Sequence, residues 1–338
     1  MVSQQHVQAS RWQVALALAL VYVVWGSTYL AIRFAVETLP PFGMAAARFL
    51  VAGAALYLWA RARGAARPTA GQWRSAATVG LLLLLGGNGA VVWAEQAIPS
   101  SLAALLVSTV PLFMALLEWL HAGQRPTLPV AAGLLAGFVG VVLLVDPTGL
   151  AGASVPLVPA LVTTAAALSW AAGSLYARKA PAPASPLLGS AMQMLAGGVA
   201  LLFVSVASGE AARFDPAGSS AQSVAALLYL VVFGSLIGFT AYAWLLRNVQ
   251  PALASTYAYV NPVVAVLLGW ALAGEAVGPR TLFASALIVG GVGLITAMKG
   301  RKPAKVEEPA ASWPVLPGIH AEGEEVEAAE ALPVTRSA

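Results

Sequence analysis

Residues 99–123 read PSSLAALLVSTVPLFMALLEWLHAG, and residues 251–274 read PALASTYAYVNPVVAVLLGWALAG. Both stretches open on a proline, Pro99 and Pro251. Both carry a second proline, Pro111 and Pro262, then a tryptophan, Trp119 and Trp270. Both close on Ala-Gly, at Ala122-Gly123 and Ala273-Gly274. Partners are separated by 152 residues at the first landmark and 151 at the others. Working outward, Gly26-Ser27-x-Tyr29 is echoed by Gly173-Ser174-x-Tyr176 at a spacing of 147, and Gly137-x-x-Gly140 by Gly290-x-x-Gly293 at 153. The chain therefore divides into two related halves, 1–150 and 151–298, followed by a segment 299–338 of different character.

Composition fixes the solvent. Of 338 residues, 59% are hydrophobic and 9% charged, against about 25% charged in soluble domains. Mean hydropathy is +0.80. Ten charge-poor apolar runs fall at 14–34, 42–60, 75–94, 101–118, 128–145, 157–177, 187–207, 223–246, 253–272 and 280–298. Each is long enough to cross about 30 Å of hydrocarbon as a helix, which bonds its own backbone groups. The breakers lie between them, at Pro40-Pro41, Arg67-Pro68, Arg125-Pro126, Asp146-Pro147, Asp215-Pro216 and Gly278-Pro279. The first run lacks a small-residue cleavage site and reads as a retained span. The last 40 residues hold seven Glu and no apolar periodicity, and read as a disordered acidic tail. The expected fold is all-α and polytopic, with ten transmembrane helices.

Lys and Arg set the orientation. With the N-terminus in the cytoplasm, 14 of the 18 basic residues fall on the cytoplasmic side, Arg33, Arg213 and Arg280 lie outside, and Arg48 lies within a span. Both termini are thus expected in the cytoplasm. Five spans per half is an odd number, so the second half must enter the membrane inverted relative to the first. Inverted repeats can exchange conformations, which is a structural basis for alternating access.

These landmarks resemble the EamA family of the drug/metabolite transporter superfamily. The matching residues are Trp25-Gly26-Ser27-Thr28, Arg48-Phe49-Leu50, Pro111 followed by Trp119, Asn261-Pro262 and Gly274-Glu275. The resemblance covers about residues 12–298. It implies a ten-helix carrier and, for many members, export of amino acids, other metabolites or toxic compounds. It also implies importance for Arg48. The first half departs from the family at Gly123-Gln124, where Gly-Glu is usual.

Several residues could carry function. A charge inside a span costs about 2.5–3.5 kcal/mol on insertion scales, so Arg48 is either an anion contact or gate, or a structural charge paired with Glu37 or Glu95. Glu95 and Glu118 lie near span ends and could carry a coupling proton, or be solvated or ion-paired. Asn88 sits among Gly86, Gly87 and Gly89, which loosen a helix. Pro111 and Pro262 are expected helix breaks that free the carbonyls of Val107 and Ala258, with Asn261 beside the second. Trp25, Ser27, Trp93, Trp170, Ser174 and Tyr257 could wall a substrate cavity or pack helices. Gly133, Gly137, Gly140, Gly290 and Gly293 read as a packing or dimer face in the fifth and tenth spans.

The function expected is secondary transport of small metabolites, with export of amino acids or related amphipathic compounds foremost. Import and xenobiotic efflux are the alternatives. An integral membrane enzyme is remote, because no nucleophile–base or metal motif is present. The chain has no cysteine and three scattered histidines, His6, His121 and His320, so no metal or cofactor is expected. The anticipated partners are a small-molecule substrate and the lipid bilayer, a homodimer being open and nucleic acid not expected. A bacterial inner membrane is the expected location.

Overall fold

The computed structural model describes residues 10–122, 127–145, 155–249 and 256–299. All regular structure among these residues is helical. We number the elements α1 (Arg11–Ala35), α2 (Pro41–Ala62), α3 (Ala70–Gly80, Leu81–Gly89 and Ala90–Ala94), α4 (Ser100–Val107 and Val110–Ala122) and α5 (Leu128–Val145). Then come α6 (Leu157–Ala177), α7 (Pro186–Ala207), α8 (Ala221–Tyr229, Leu230–Ile237 and Gly238–Asn248), α9 (Tyr257–Ala273) and α10 (Pro279–Lys299). Among the described residues, eight of these helices are long and apolar enough to cross a membrane. In α9 and α10 the apolar stretches are the shorter Val260–Ala273 and Pro279–Ile295. The segment 299–338, read as a disordered tail, lies outside the described residues but for Lys299.

Local sequence sets the helix starts. Ser10 with Gln13, and Thr69 with Gln72, form capping boxes that satisfy the first free N–H groups of α1 and α3. Pro41 and Pro186 sit at the start of α2 and α7, where a missing N–H costs nothing. Large apolar side chains such as Leu135, Phe203, Leu267 and Trp270 point outward, whereas the interior is rich in Ala and Gly. Hydrocarbon solvates an outward Leu as well as a protein core does, so close packing of small residues holds the helices together.

The helices pack in matched pairs. α2 lies along α7, and α5 along α10. α1 packs on α9 as α6 packs on α4, and α8 packs on α1 as α3 packs on α6. Exchanging the first five helices for the last five maps these principal contacts onto one another.

Two helices depart from α geometry at matched places. Leu81–Gly89 in α3 and Leu230–Ile237 in α8 are wound as π-helix. The first is where Gly86, Gly87 and Gly89 flank Asn88, as the sequence leads one to expect. The second carries Gly234 and Ser235, a weaker signal in sequence. α4 breaks at Ser108–Thr109: Pro111 has no N–H to offer the carbonyl of Val107, and the hydroxyls of Ser108 and Thr109 turn back onto the carbonyls of Leu105 and Leu106, both at 2.6 Å.

The break expected at Pro262 does not occur. α9 runs unbroken from Tyr257 to Ala273. Pro262 is only six residues into the helix, so just one ladder bond, to Ala258, is forgone. The glycine face also shifts by one residue. Gly133 and Gly137 meet Gly291, whereas Gly290 and Gly293 have nothing beside them among the described residues. A Cβ on Gly291 would stand 2.5 Å from the Gly133 carbonyl oxygen, and backbone cannot rotate away. Gly291→Val should therefore destabilise the purified protein by about 1–3 kcal/mol, seen as a lowered unfolding temperature. Gly290→Val should leave it unchanged.

Candidate functional site

The connections at 36–40, 95–99, 208–220 and 274–278 share one end of the bundle, the third holding two short helices, Glu210–Arg213 and Pro216–Gly218. An open cavity of about 670 Å³ lies among the first three, walled by Phe42, Trp93, Gln96, Glu210, Arg213 and Asp215 with others. A second, more apolar cavity of about 320 Å³ lies between α2, α3, α6 and α7, lined by Phe42, Leu85, Ala90, Trp93, Val162 and Val204. Phe42 and Trp93 belong to both walls. Large flat rings lining a concavity are what an amphipathic small molecule needs.

Aromatic rings fill the half of the bundle away from this vestibule. The Trp25 ring lies 5.4 Å from Phe239, 5.1 Å from Tyr242 and 5.1 Å from Tyr257, with Tyr242 and Tyr257 5.6 Å apart. Trp25 Nε1 donates to the Gly234 carbonyl at 3.1 Å, a group in the π segment of α8. Residue 238 must be glycine, because a Cβ would strike the Trp25 indole. Ala17, Val21, Ala241 and Leu245 continue the plug toward the opposite end.

Asn261 belongs to this cluster. With its amide oriented by hydrogen bonding, the nitrogen donates to the carbonyls of Tyr257 at 3.1 Å and Tyr22 at 3.3 Å. Tyr22 and Thr256 hydroxyls meet at 2.5 Å. Asn261 is thus a tie between α1 and α9, 7% exposed.

The remaining sequence candidates separate into groups. Ser27 bonds the Tyr229 hydroxyl at 2.6 Å and its own helix at Val24, next to the α8 π segment. Trp170 packs on Gly87 and Ser169 bonds the Leu82 carbonyl at 2.7 Å, so both brace the α3 π segment. Asn88 Oδ1, within that segment, is buried with no hydrogen-bond partner among the described residues. Ser174 is half-buried on α6. Trp93 alone of the expected aromatics walls the two cavities. Sequence reasoning thus assembled parts of two constellations, the plug and the vestibule, as though they were one.

Among the charged candidates, Glu118 forms an ion pair with Arg178 at 2.9 Å, both partly exposed, a contact worth about 0–1 kcal/mol. The pairing of Arg48 with Glu37 or Glu95 does not occur. Arg48 Nε instead donates to Ser235 Oγ at 3.0 Å, and its guanidinium lies over the Phe49 ring at 4.8 Å. One guanidinium nitrogen has no partner among the described residues. Glu95 is 2% exposed, and neither carboxyl oxygen has a hydrogen-bond partner there.

Two carboxylates missed as contacts cap helices across the halves. Glu275 accepts from the backbone N–H of Ser100 at 2.8 Å, from Ser100 Oγ at 2.8 Å and from the N–H of Ser101 at 2.9 Å. Glu210 accepts from the N–H groups of Phe42 and Gly43 and from Ser205 Oγ. Each satisfies N–H groups that a helix start leaves free, at the positive end of its dipole. The sequence carried the Gly274-Glu275 landmark but not its partner, which lies 175 residues away.

Similarity to known proteins places the chain. The sequence profile described as the EamA-like transporter family fits residues 12–146 and fits again at 158–297. The chain belongs to this family. The EamA-like chain is 42% identical over 290 residues to the inner membrane transporter YedA of Escherichia coli strain K12, covering 86% of this chain and 92% of that one. It is 28% identical to a protein of Streptantibioticus cattleyicolor named "Probable terminal-alkyne amino-acid exporter", covering 82% and 92%. It is 24% identical to the transporter YvbV of Bacillus subtilis strain 168, covering 88% and 97%. A crystal structure aligns with a TM-score of 0.58 at 25% identity, over 86% of this chain and 98% of the other. The EamA-like chain is accordingly a membrane transporter, not an enzyme.

Burial pushes the Glu275 carboxyl up, but the hydrogen bonds from Ser101 and Ser100 outweigh it and hold the group below the usual carboxylate range. A depressed value in the folded state means that the cap's contribution is complete above the ordinary carboxylate range and is lost as pH falls from there through the depressed value. Thermal stability of the purified transporter should drop on acidification below that range. Glu275→Gln should cost about 1–2 kcal/mol at neutral pH and remove Glu275's share of the acid sensitivity.

Proposed function

We propose that the chain is a secondary carrier of the bacterial inner membrane that exports amino acids or related amphipathic metabolites by alternating access. The observation that carries this reading is the asymmetry of the bundle. One end holds a vestibule of about 670 Å³ bounded by Phe42 and Trp93; the other half is closed by the rings of Trp25, Phe239, Tyr242 and Tyr257. A carrier caught on one side of its cycle has this form, a cavity open to one compartment and a packed barrier to the other.

In this reading the ten helices are two inverted repeats of five, within 1–150 and 151–298. The matched helix pairs, the two π segments and the double family match support that symmetry. The Lys and Arg distribution supports both termini in the cytoplasm, which makes the vestibule end the outer one. The substrate class rests on the aromatic walls of the cavities and on the name of the Streptantibioticus relative. Trp93 then forms the outer wall of the substrate path and the Trp25 cluster its inner barrier. The π segments let α3 and α8 change pitch without losing all of their backbone bonds, a property such a cycle requires.

The test compares metabolites in the medium of cells expressing the intact chain with those of cells expressing Trp93→Ala at equal membrane abundance. A compound enriched outside only with the intact chain supports export and identifies the substrate class. Trp93→Ala should lower its efflux by about tenfold, the effect of losing ~1.4 kcal/mol of contact. Enrichment inside the cells instead would establish import and overturn the exporter reading.

A further inference from the structure

A carboxyl group without a donor is an anomaly in a protein interior. Glu95 ends α3 just beyond Ala94, 2% exposed, with both oxygens buried and unpartnered among the described residues. A fixed carboxylate there would forgo its hydration for nothing, an unfavourable state for a charge. A protonated carboxyl is neutral and removes most of that cost.

The groups facing Glu95 give the proton a consequence. From α1 come Tyr29 and Arg33, and from the turn before α10 comes Glu275, all close enough to act on it electrostatically. At the start of α4, the N–H groups of Ser100 and Ser101 and the Ser100 hydroxyl are all taken by Glu275. Three donors on its two oxygens favour the charged form of Glu275. A second negative charge at Glu95 would push directly against that clamp.

We propose that Glu95 is a proton-binding site whose occupancy controls the Glu275 clamp on the α4 N-terminus. With the proton bound, Glu95 is neutral, Glu275 keeps its three hydrogen bonds, and α4 stays joined to the turn between α9 and α10. When the proton leaves for water, the two carboxylates repel each other and Glu275 releases Ser100 and Ser101. α4 and α9 carry the repeated landmarks of the two halves, so this junction joins one half to the other. The proposal rests on the carrier reading and supplies the ion that would drive it.

The pH dependence follows from signs. Burial drives the Glu95 carboxyl well above the ordinary carboxylate range, Glu275 adds to this and Arg33 opposes it. The clamped form therefore binds the Glu95 proton more tightly than the released form, and is lost as pH rises through the elevated value. Glu275 is shifted the other way, so strong acid also weakens the clamp. Clamping is strongest between the two.

The chain has no cysteine, so Ala97→Cys and Ala276→Cys, at exposed positions beside the two carboxylates, take spin labels uniquely. The label-to-label distance is measured in reconstituted full-length protein without substrate, across pH. In the parent protein the ratio of clamped to released form should fall by up to about tenfold per pH unit as pH rises through the elevated Glu95 value. Glu95→Gln should hold the clamp over that whole range, and Glu275→Gln should release it at every pH. If Glu95→Gln does not accumulate, Glu95→Ala carries the same expectation. A distance that ignores pH in the parent protein, or a Glu95 variant with the parent's pH dependence, overturns the proposal. The distance requires no transport, so a pH-responsive clamp in a protein that moves no substrate would sink the carrier reading and leave this one standing.

Discussion

A backbone amide in hydrocarbon has no water to bond, and each one left unpaired costs several kcal/mol. That constraint makes the chain helical, sets the length of its helices and confines its turns to the two ends of the bundle. It also gives meaning to each departure. The π segments at Leu81–Gly89 and Leu230–Ile237 and the break at Ser108–Thr109 all lie inside spans. All are braced by side chains from neighbouring helices or from their own turn: Ser169 on the Leu82 carbonyl, Trp25 on the Gly234 carbonyl, Ser108 and Thr109 on their own helix. The fold tolerates irregular backbone where another group takes up a freed oxygen.

The same constraint explains where charge is found. Arg48 is buried against Ser235 and Phe49, Glu275 is spent on two helix N–H groups and a hydroxyl, and Glu210 is spent likewise. Each is matched to donors or an acceptor that the bundle supplies. Glu95, with none among the described residues, stands apart. The bundle is thus polar and open at the end that holds the vestibule and the capped starts of α2 and α4, and ring-filled toward the other.

Much of the fold was legible in the order of residues. Hydropathy runs located the helices to within a few positions, because a span in lipid has to be apolar along its whole length. Pro111 announced its break, and Gly86, Gly87 and Gly89 announced the loosened turn around Asn88. Pro262 misled, because a proline near the start of a helix forgoes a single bond and the helix continues past it. The glycine face of α10 was misplaced by one residue: Gly291, not Gly290 or Gly293, meets Gly133, a distinction that depends on how α5 and α10 cross. The site was less legible. Trp25, Tyr257 and Asn261 were expected together and are together. Trp93 is elsewhere, and the partners of Glu275 and Glu210 could not be read because the helix starts they cap lie in the other half of the chain. Spacing along one helix is a local signal; capping across the bundle has none.

The central claim is that one cavity opens to the outer compartment and exchanges sides during transport. Ala90→Cys, in this cysteine-free chain, places one thiol in the wall of the inner of the two cavities. Its reaction with a membrane-impermeant maleimide, measured on intact cells and on inverted vesicles, reads the side from which that wall is reached. Labelling from outside is expected in resting cells, with a slower rate from outside and a faster rate from inside when transport substrate is added. Labelling from inside alone, or a rate indifferent to substrate on both sides, would contradict the claim.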